Sequence, residues 1–238
     1  MYKRISHNIV EEHFEHPATL PMSVVGACNT GTMYMGGFGG TGTTYQHVMQ
    51  VPAGHTLAKI EKDSAIVWSV LSSRIRNLVI SITSGDKDVD VLVRRVSGDI
   101  AKIGLLLVNA YDDNTVATFN RLLESVAVSL VGVITNINSG RDTSSSLEKL
   151  RSDTMAFAEF VSINPSWPVS VVNFILVSME DLYIAQAKHR VNKEWAAAID
   201  AADAAYDLIV VNQPNSYPSF SDIFAAGIFD ANTKKQSM

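Results

Sequence analysis

The feature that most constrains the fold is an apolar spacing of three and four residues that recurs along most of the chain. It is clearest from Val169 to Val211, where neither Gly nor Pro occurs. The apolar residues of this segment are Val171, Ile175, Met179, Leu182, Ala185, Trp195, Ala198, Ala202, Ala205 and Ile209. Such spacing places side chains on one face of a helix, which we call an apolar stripe. It predicts a long terminal helix, capped by Ser166 and with Pro168 in its first turn, and with a kink or two stacked helices at the polar interruption 188–193.

Four earlier segments carry the same apolar stripe and are separated by short polar connections. The stripes cover 57–82, 89–110, 116–137 and 147–161. Gly85, Asp112 and Asn164 mark three of the breaks, and Ser145 with Glu148 forms a candidate capping box for the last of these stripes. Because short connections force consecutive helices to pack side by side, the sequence predicts a mainly α protein. We expect an antiparallel helical bundle of about five to six helices over 56–213.

One stretch of this bundle has a second interpretation as a β-hairpin. Residues 78–83 and 89–93 are rich in β-branched side chains and are joined by a turn-like segment, 84–88. The helical spacing of the second segment continues to Ala110, which favours two helices over the hairpin.

Two flanking segments differ from the bundle in residue composition. Residues 1–55 are rich in Gly and indicate an irregular N-terminal arm, and 214–238 resemble a loop and predict a C-terminal docking tail. Apolar side chains on such segments would be an aggregation liability unless they dock on the bundle or on another subunit. The predicted interaction residues are Tyr34, Phe38, Tyr45, Tyr217, Phe220, Ile223, Phe224, Ile228 and Phe229.

The composition of the chain limits which binding partners and which cellular compartment we expect. Hydrophobic residues make up 47% of the chain, charged residues 18%, and the net charge is −5, so we expect a globular protein without direct readout of nucleic acid. The single cysteine, Cys28, cannot form a disulfide within the chain, which predicts synthesis in a reducing cytoplasm. The N-terminus does not predict a signal peptide. The most apolar segment, 122–137, contains Glu124, so we predict no membrane span and a protein that is soluble or incorporated into a particle.

Motifs that could carry chemistry each have a simpler explanation. Gly37–Gly42 has the spacing of a dinucleotide-binding loop, but the segment that follows is too short and too β-rich for the required helix. His13 and His16 have a spacing that could hold zinc, although Pro17 follows and no recognisable motif fixes a third ligand. The helices from 56 to 211 contain no Glu-x-x-His pair for a di-metal site, and no nucleophile elbow occurs. We therefore expect no catalytic residues, no metal and no cofactor.

Two polar features within the apolar stripes are the candidates for a buried site. One is Thr154, in the middle of a stripe, and the other is the basic turn at Lys188, His189, Arg190 and Lys193. The turn could contact an anion or a partner, but a solvated face with local ion pairs is the preferred interpretation.

These observations favour a non-enzymatic structural or assembly protein over two alternatives. The expected partners are further copies of the chain or other protein subunits, and a virion component is the concrete version. One alternative is a small-molecule-binding or enzymatic helical bundle with a pocket between helices. The other is a membrane-active bundle that opens to insert its apolar helices.

Overall fold

The computed structural model describes residues 56–164, 166–211 and 219–236, and these residues form a mainly helical protein. The described part of the chain contains seven helices, one or two more than the predicted five to six. They are α1 Leu57–Ser84, α2 Val89–Leu105, α3 Asp113–Asn138, α4 Ser144–Val161, α5 Val169–Val191, α6 Trp195–Val210 and α7 Phe220–Gln236. The predicted arm 1–55, with its glycine loop and its histidines, lies outside the described residues.

Local signals explain where the first three helices begin and end. Thr56 caps α1 by accepting a hydrogen bond from the Lys59 amide, and Gly85 ends the helix in the left-handed conformation at φ 73°. Asp112 caps α3 through the Thr115 amide. Residues 78–84 belong to α1 and residues 89–93 belong to α2, so the β-hairpin alternative for 78–93 is wrong. No strand occurs among the described residues.

The predicted long terminal helix is two helices that lie side by side rather than stacked end to end. α5 and α6 pack against each other along their length and are joined by residues 192–194, where Lys193 adopts φ 64°. A left-handed residue reverses the chain, so the polar interruption is a turn between antiparallel neighbours. Pro168, not Ser166, occupies the cap position of α5, and α4 begins at Ser144 with Thr143 as its cap, so Ser145 is not the cap residue.

The core is organised around α1, which packs against α2, α3, α5, α6 and α7. Trp68 of this helix is 1% exposed and meets Phe220 and Phe224 of α7 edge-on, with ring centroids 4.9 and 5.4 Å apart. The segment predicted as a loop-like tail therefore contains a helix. Its apolar residues fit helical spacing, and burying them against α1 stabilises the helix.

Three helices are long and apolar enough to cross a membrane, judged by length and composition. They are α1, α3 and α5, with mean hydropathies of 1.3, 1.4 and 1.3 over 18-residue windows. The prediction of no membrane span is therefore wrong, and these helices also point away from the predicted soluble localisation. A single charge such as Glu124 does not exclude a span, because a helix tolerates one or two charges and still averages apolar.

Candidate functional site

The predicted polar position Thr154 lies at the centre of a buried cluster between α4 and α5. Its hydroxyl oxygen is 2.9 Å from the Leu150 carbonyl oxygen and also contacts Oε1 of Glu180. Glu180 has no exposed surface, and its Oε2 accepts a hydrogen bond from Nη1 of Arg151. The second guanidinium nitrogen, Nη2, reaches Asp181 at the surface. We call Arg151, Thr154 and Glu180 the α4–α5 polar cluster.

Burial dominates the electrostatics of this cluster. Desolvation raises the pKa of Glu180 to about 7, although the Thr154 hydroxyl and the Arg151 guanidinium both act to lower it. On the next turn of α5, burial raises the pKa of Tyr183 to about 12, and its hydroxyl lies 2.7 Å from the Ser72 hydroxyl of α1.

The space beside the cluster is small and apolar. A cavity of about 20 Å³ adjoins Glu180 and is bordered by Trp68 and Leu71 of α1, Val126 of α3 and Ile209 of α6. A drug-sized ligand needs roughly 300 Å³ or more, and one water needs about 10–15 Å³. A cavity of this size holds at most one water and leaves no room for an organic substrate beside Glu180.

A second buried carboxylate joins α1 and α2. Asp99 is 3% exposed and accepts from Nζ of Lys102 at 2.7 Å and from Nε of Arg74 at 3.1 Å. Burial alone would raise the pKa of Asp99, but the hydrogen bonds and charges of Lys102 and Arg74 outweigh burial and hold it below its usual value. Asp99 is therefore a structural anion with both partners in place.

The basic turn 188–193 is tied into the bundle. Arg190 donates from Nε to the Thr83 hydroxyl at 2.7 Å and lies 5.5 Å from the centre of the Trp195 ring. Nδ1 of His189 is 2.5 Å from a carboxylate oxygen of Glu194. These contacts join the end of α1 to the α5–α6 turn, so two of the four basic side chains have structural partners.

Those predicted interaction residues that the structure describes lie in α7 and face their own bundle. Phe220, Phe224 and Ile228 are 4%, 3% and 1% exposed, and Ile223 and Phe229 pack partly buried against the same core. Tyr34, Phe38, Tyr45 and Tyr217 lie outside the described residues. A role for these residues in contacts between subunits stays a prediction.

The residues of α7 contact the connection between α4 and α5. The Trp167 ring stacks on Phe224 with centroids 5.0 Å apart, and its indole nitrogen donates to the Ile223 carbonyl oxygen at 2.9 Å. Asn164 donates to the Gly227 carbonyl oxygen at 2.7 Å and to the Tyr111 hydroxyl at 2.8 Å. These bonds gather α7, the α4–α5 connection and the α2–α3 connection at one end of the bundle, which we call the α7 end.

Exposed apolar side chains accumulate at the α7 end. Leu105, the last residue of α2, is 64% exposed, Val108 in the α2–α3 connection is 43% exposed, and Ile163 between α4 and α5 is 70% exposed. Val171 and Phe174 in the first turns of α5 are 39% and 67% exposed. We call these five residues the apolar end patch. A patch of this kind is a candidate contact surface for protein or lipid.

Sequence reasoning identified Thr154 but missed Glu180 and Arg151. The signal for Glu180 was its position four residues after Leu176 and three before Tyr183, both of which are buried. The predicted stripe instead ran through Val171, which is exposed, because apolar residues occupy two adjacent faces of α5.

No group of three potential metal ligands among His, Cys, Asp and Glu occurs in the described residues. The predicted pair His13 and His16 lies outside them. No family model, no curated protein and no solved structure matches this chain.

Proposed function

We propose that this chain is a non-enzymatic assembly subunit, whose copies associate through the apolar end patch. The main support for this proposal is the exposure of Leu105, Ile163 and Phe174, which are each about two-thirds exposed at one end of the bundle. Burying such residues against a second copy removes apolar area from water at roughly 25 cal/mol per Å². The closed geometry of the α4–α5 polar cluster supports the non-enzymatic part, since Glu180 has no exposed surface and only a small apolar cavity beside it.

The mass of the full chain in solution, measured by size exclusion with light scattering, tests this proposal. We expect a defined oligomer that dissociates to the mass of one chain when Ile163→Glu and Phe174→Glu are combined, because buried charges oppose association. Ile199→Glu is the matched control, since Ile199 is 51% exposed near the start of α6, away from the α7 end. A wild-type monomer, or equal loss of mass in the control, would contradict the proposal.

A second candidate function is membrane activity, and the apolar composition of α1, α3 and α5 favours it. Four charged residues of α1 and α5 have partners on other helices. Arg74 pairs with Asp99, Arg76 pairs with Asp203 at 2.7 Å, and Glu180 and Asp181 share Arg151. Opening the bundle would separate these ion pairs. Membrane activity therefore requires that insertion of the apolar helices compensates for the free energy lost with the pairs.

Release of a dye from anionic vesicles by the full chain, at acidic and neutral pH, tests membrane activity. Val128→Asp should suppress release, because it places a charge near the middle of α3 at a cost to insertion of about 3 kcal/mol. Val128 is 55% exposed, so the packed bundle should tolerate the change. Met155→Asp is the control on α4, which is not among the three apolar helices, and should leave release unchanged. Absence of release by the wild type at both pH values would eliminate this candidate.

A further inference from the structure

The hydrogen-bond pattern of the α4–α5 polar cluster contains one proton too few when Glu180 is ionised. A threonine hydroxyl has a single proton to donate. The Thr154 oxygen lies near two acceptors, the Leu150 carbonyl oxygen at 2.9 Å and Oε1 of Glu180. With an ionised Glu180, Thr154 can satisfy one acceptor, and its contact with the other brings two oxygen atoms together without a hydrogen between them.

Protonation of Glu180 removes this conflict. A proton on Oε1 lets Glu180 donate to Thr154, and Thr154 then donates to the Leu150 carbonyl oxygen. Oε2 remains free to accept the hydrogen bond from Nη1 of Arg151. The Thr154 hydroxyl and both carboxyl oxygens of Glu180 then have partners, which is the condition that buried polar groups meet in folded proteins.

We infer that Glu180 is a buried proton-binding site that couples the packing of α4 against α5 to the pH of the surroundings. The O–H bond at Oε1 is the bond that breaks on release, and the proton passes to solvent water. The carboxylate left behind pairs with the Arg151 guanidinium, and the Thr154 proton turns from the Leu150 carbonyl oxygen to Oε1. Arg151, whose side chain is 29% exposed, connects the site to the surface.

The charged surroundings of Glu180 support this assignment. Arg151 of α4 is the cation that contacts it, and Asp181, the neighbouring residue on α5, has a carboxylate that disfavours a second negative charge. From α1, α3 and α6, the side chains that share its cavity are uncharged and include Ser72, Leu130 and Ile209. Burial among them raises the pKa of Glu180 to about 7 from the usual 4.5.

The pKa of Glu180 in the folded chain and its usual pKa together determine whether stability rises or falls with pH. Below pH 4.5 both the folded and the unfolded chain hold the proton, and above about 7 neither does. Between them the folded chain binds more protons, so this group makes folding weaker as the pH rises. The folding equilibrium constant should fall by up to tenfold for each pH unit in this interval.

Denaturant unfolding of the full chain between pH 4.5 and 8 tests the inference. Glu180→Gln should remove the fall in stability that Glu180 contributes as the pH rises, because its amide donates to Thr154 as the protonated carboxyl would. The contributions of the other titrating groups cancel when the wild type and the variant are compared. Asp181→Asn is the matched control, since Asp181 also contacts Arg151 but its side chain is 61% exposed, and it should retain the fall. Parallel curves for wild type and Glu180→Gln, or a wild-type stability that instead rises with pH relative to that variant, would overturn the inference.

Infrared difference spectra of the wild type provide a second test, needed if Glu180→Gln does not fold. A step from pH 5 to pH 8 should remove the carbonyl band of one protonated carboxyl group, and the band should persist in Asp181→Asn at pH 5. A spectrum without any such band at pH 5 would overturn the inference. This result is independent of the proposed assembly, because it is read from a single chain whatever its oligomeric state.

Discussion

Gly227→Ala should detach α7 from the bundle and lower the free energy of unfolding by about 3 kcal/mol, because forced overpacking is coupled here to a lost hydrogen bond. A Cβ atom at this position would lie 2.1 Å from the indole nitrogen of Trp167 and 2.3 Å from its Cε2 atom. The indole cannot move aside cheaply, since it is buried, stacks on Phe224 and donates to the Ile223 carbonyl oxygen.

Urea unfolding followed by circular dichroism measures this loss, and Gly132→Ala is its control. Gly132 lies within α3, and an added Cβ would meet nothing within 4 Å. Alanine favours a helix interior over glycine by up to about 1 kcal/mol, so the control should be slightly more stable than the wild type. Equal effects of the two substitutions would show that Trp167 does not hold α7 in this close contact.

Trp68→Ala should have the other large effect, a loss of about 4 kcal/mol in the free energy of unfolding. Trp68 is among the largest fully buried side chains, and its ring meets Phe220 and Phe224 from α1. Its removal leaves a cavity at the junction of α1 and α7, beside the small cavity that it already borders. The indole nitrogen has no hydrogen-bond partner among the described residues, so the loss comes from packing alone.

The same unfolding experiment on Trp68→Phe and Ile66→Ala tests whether lost packing against α7 causes the stability loss of Trp68→Ala. Phenylalanine keeps an aromatic ring against α7 and removes the unpartnered N–H group, so it should cost much less, about 1–2 kcal/mol. Ile66 is 50% exposed on the same helix, and its truncation should change stability by about 0.5 kcal/mol or less. A loss for Trp68→Phe as large as that for Trp68→Ala would mean that packing on α7 is not the cause.

The two carboxylates buried between neighbouring helices differ in their expected charge. Asp99 receives hydrogen bonds from two cations, Lys102 and Arg74, whereas Glu180 shares its one cation with Asp181. Each carboxylate has two donors, but at Asp99 both donors are cations and together they outweigh burial, whereas at Glu180 burial outweighs one neutral hydroxyl and one shared cation. This difference explains why the pKa of Asp99 falls while that of Glu180 rises.

The helical class and most helix ends follow from local patterns in the sequence. The apolar spacing of three and four residues, the glycine at position 85 and the cap at Asp112 are local, and the backbone responds to them locally. Thr154 could also be identified, because a polar residue in the middle of a stripe must be buried with a partner. The identity of that partner could not, since Glu180 lies 26 positions further along the chain.

Which helix faces pack against each other depends on long-range contacts that the local sequence does not contain. The turn at Lys193 places α5 beside α6, and burial against Trp68 makes a helix of the segment from Phe220 to Gln236. The contact of α7 with Trp167 requires a glycine at position 227 for a reason that no local pattern contains. The charge of Glu180 likewise depends on desolvation by four other helices and on one hydroxyl proton in α4, because burial and donor number are properties of the packed bundle and not of the chain.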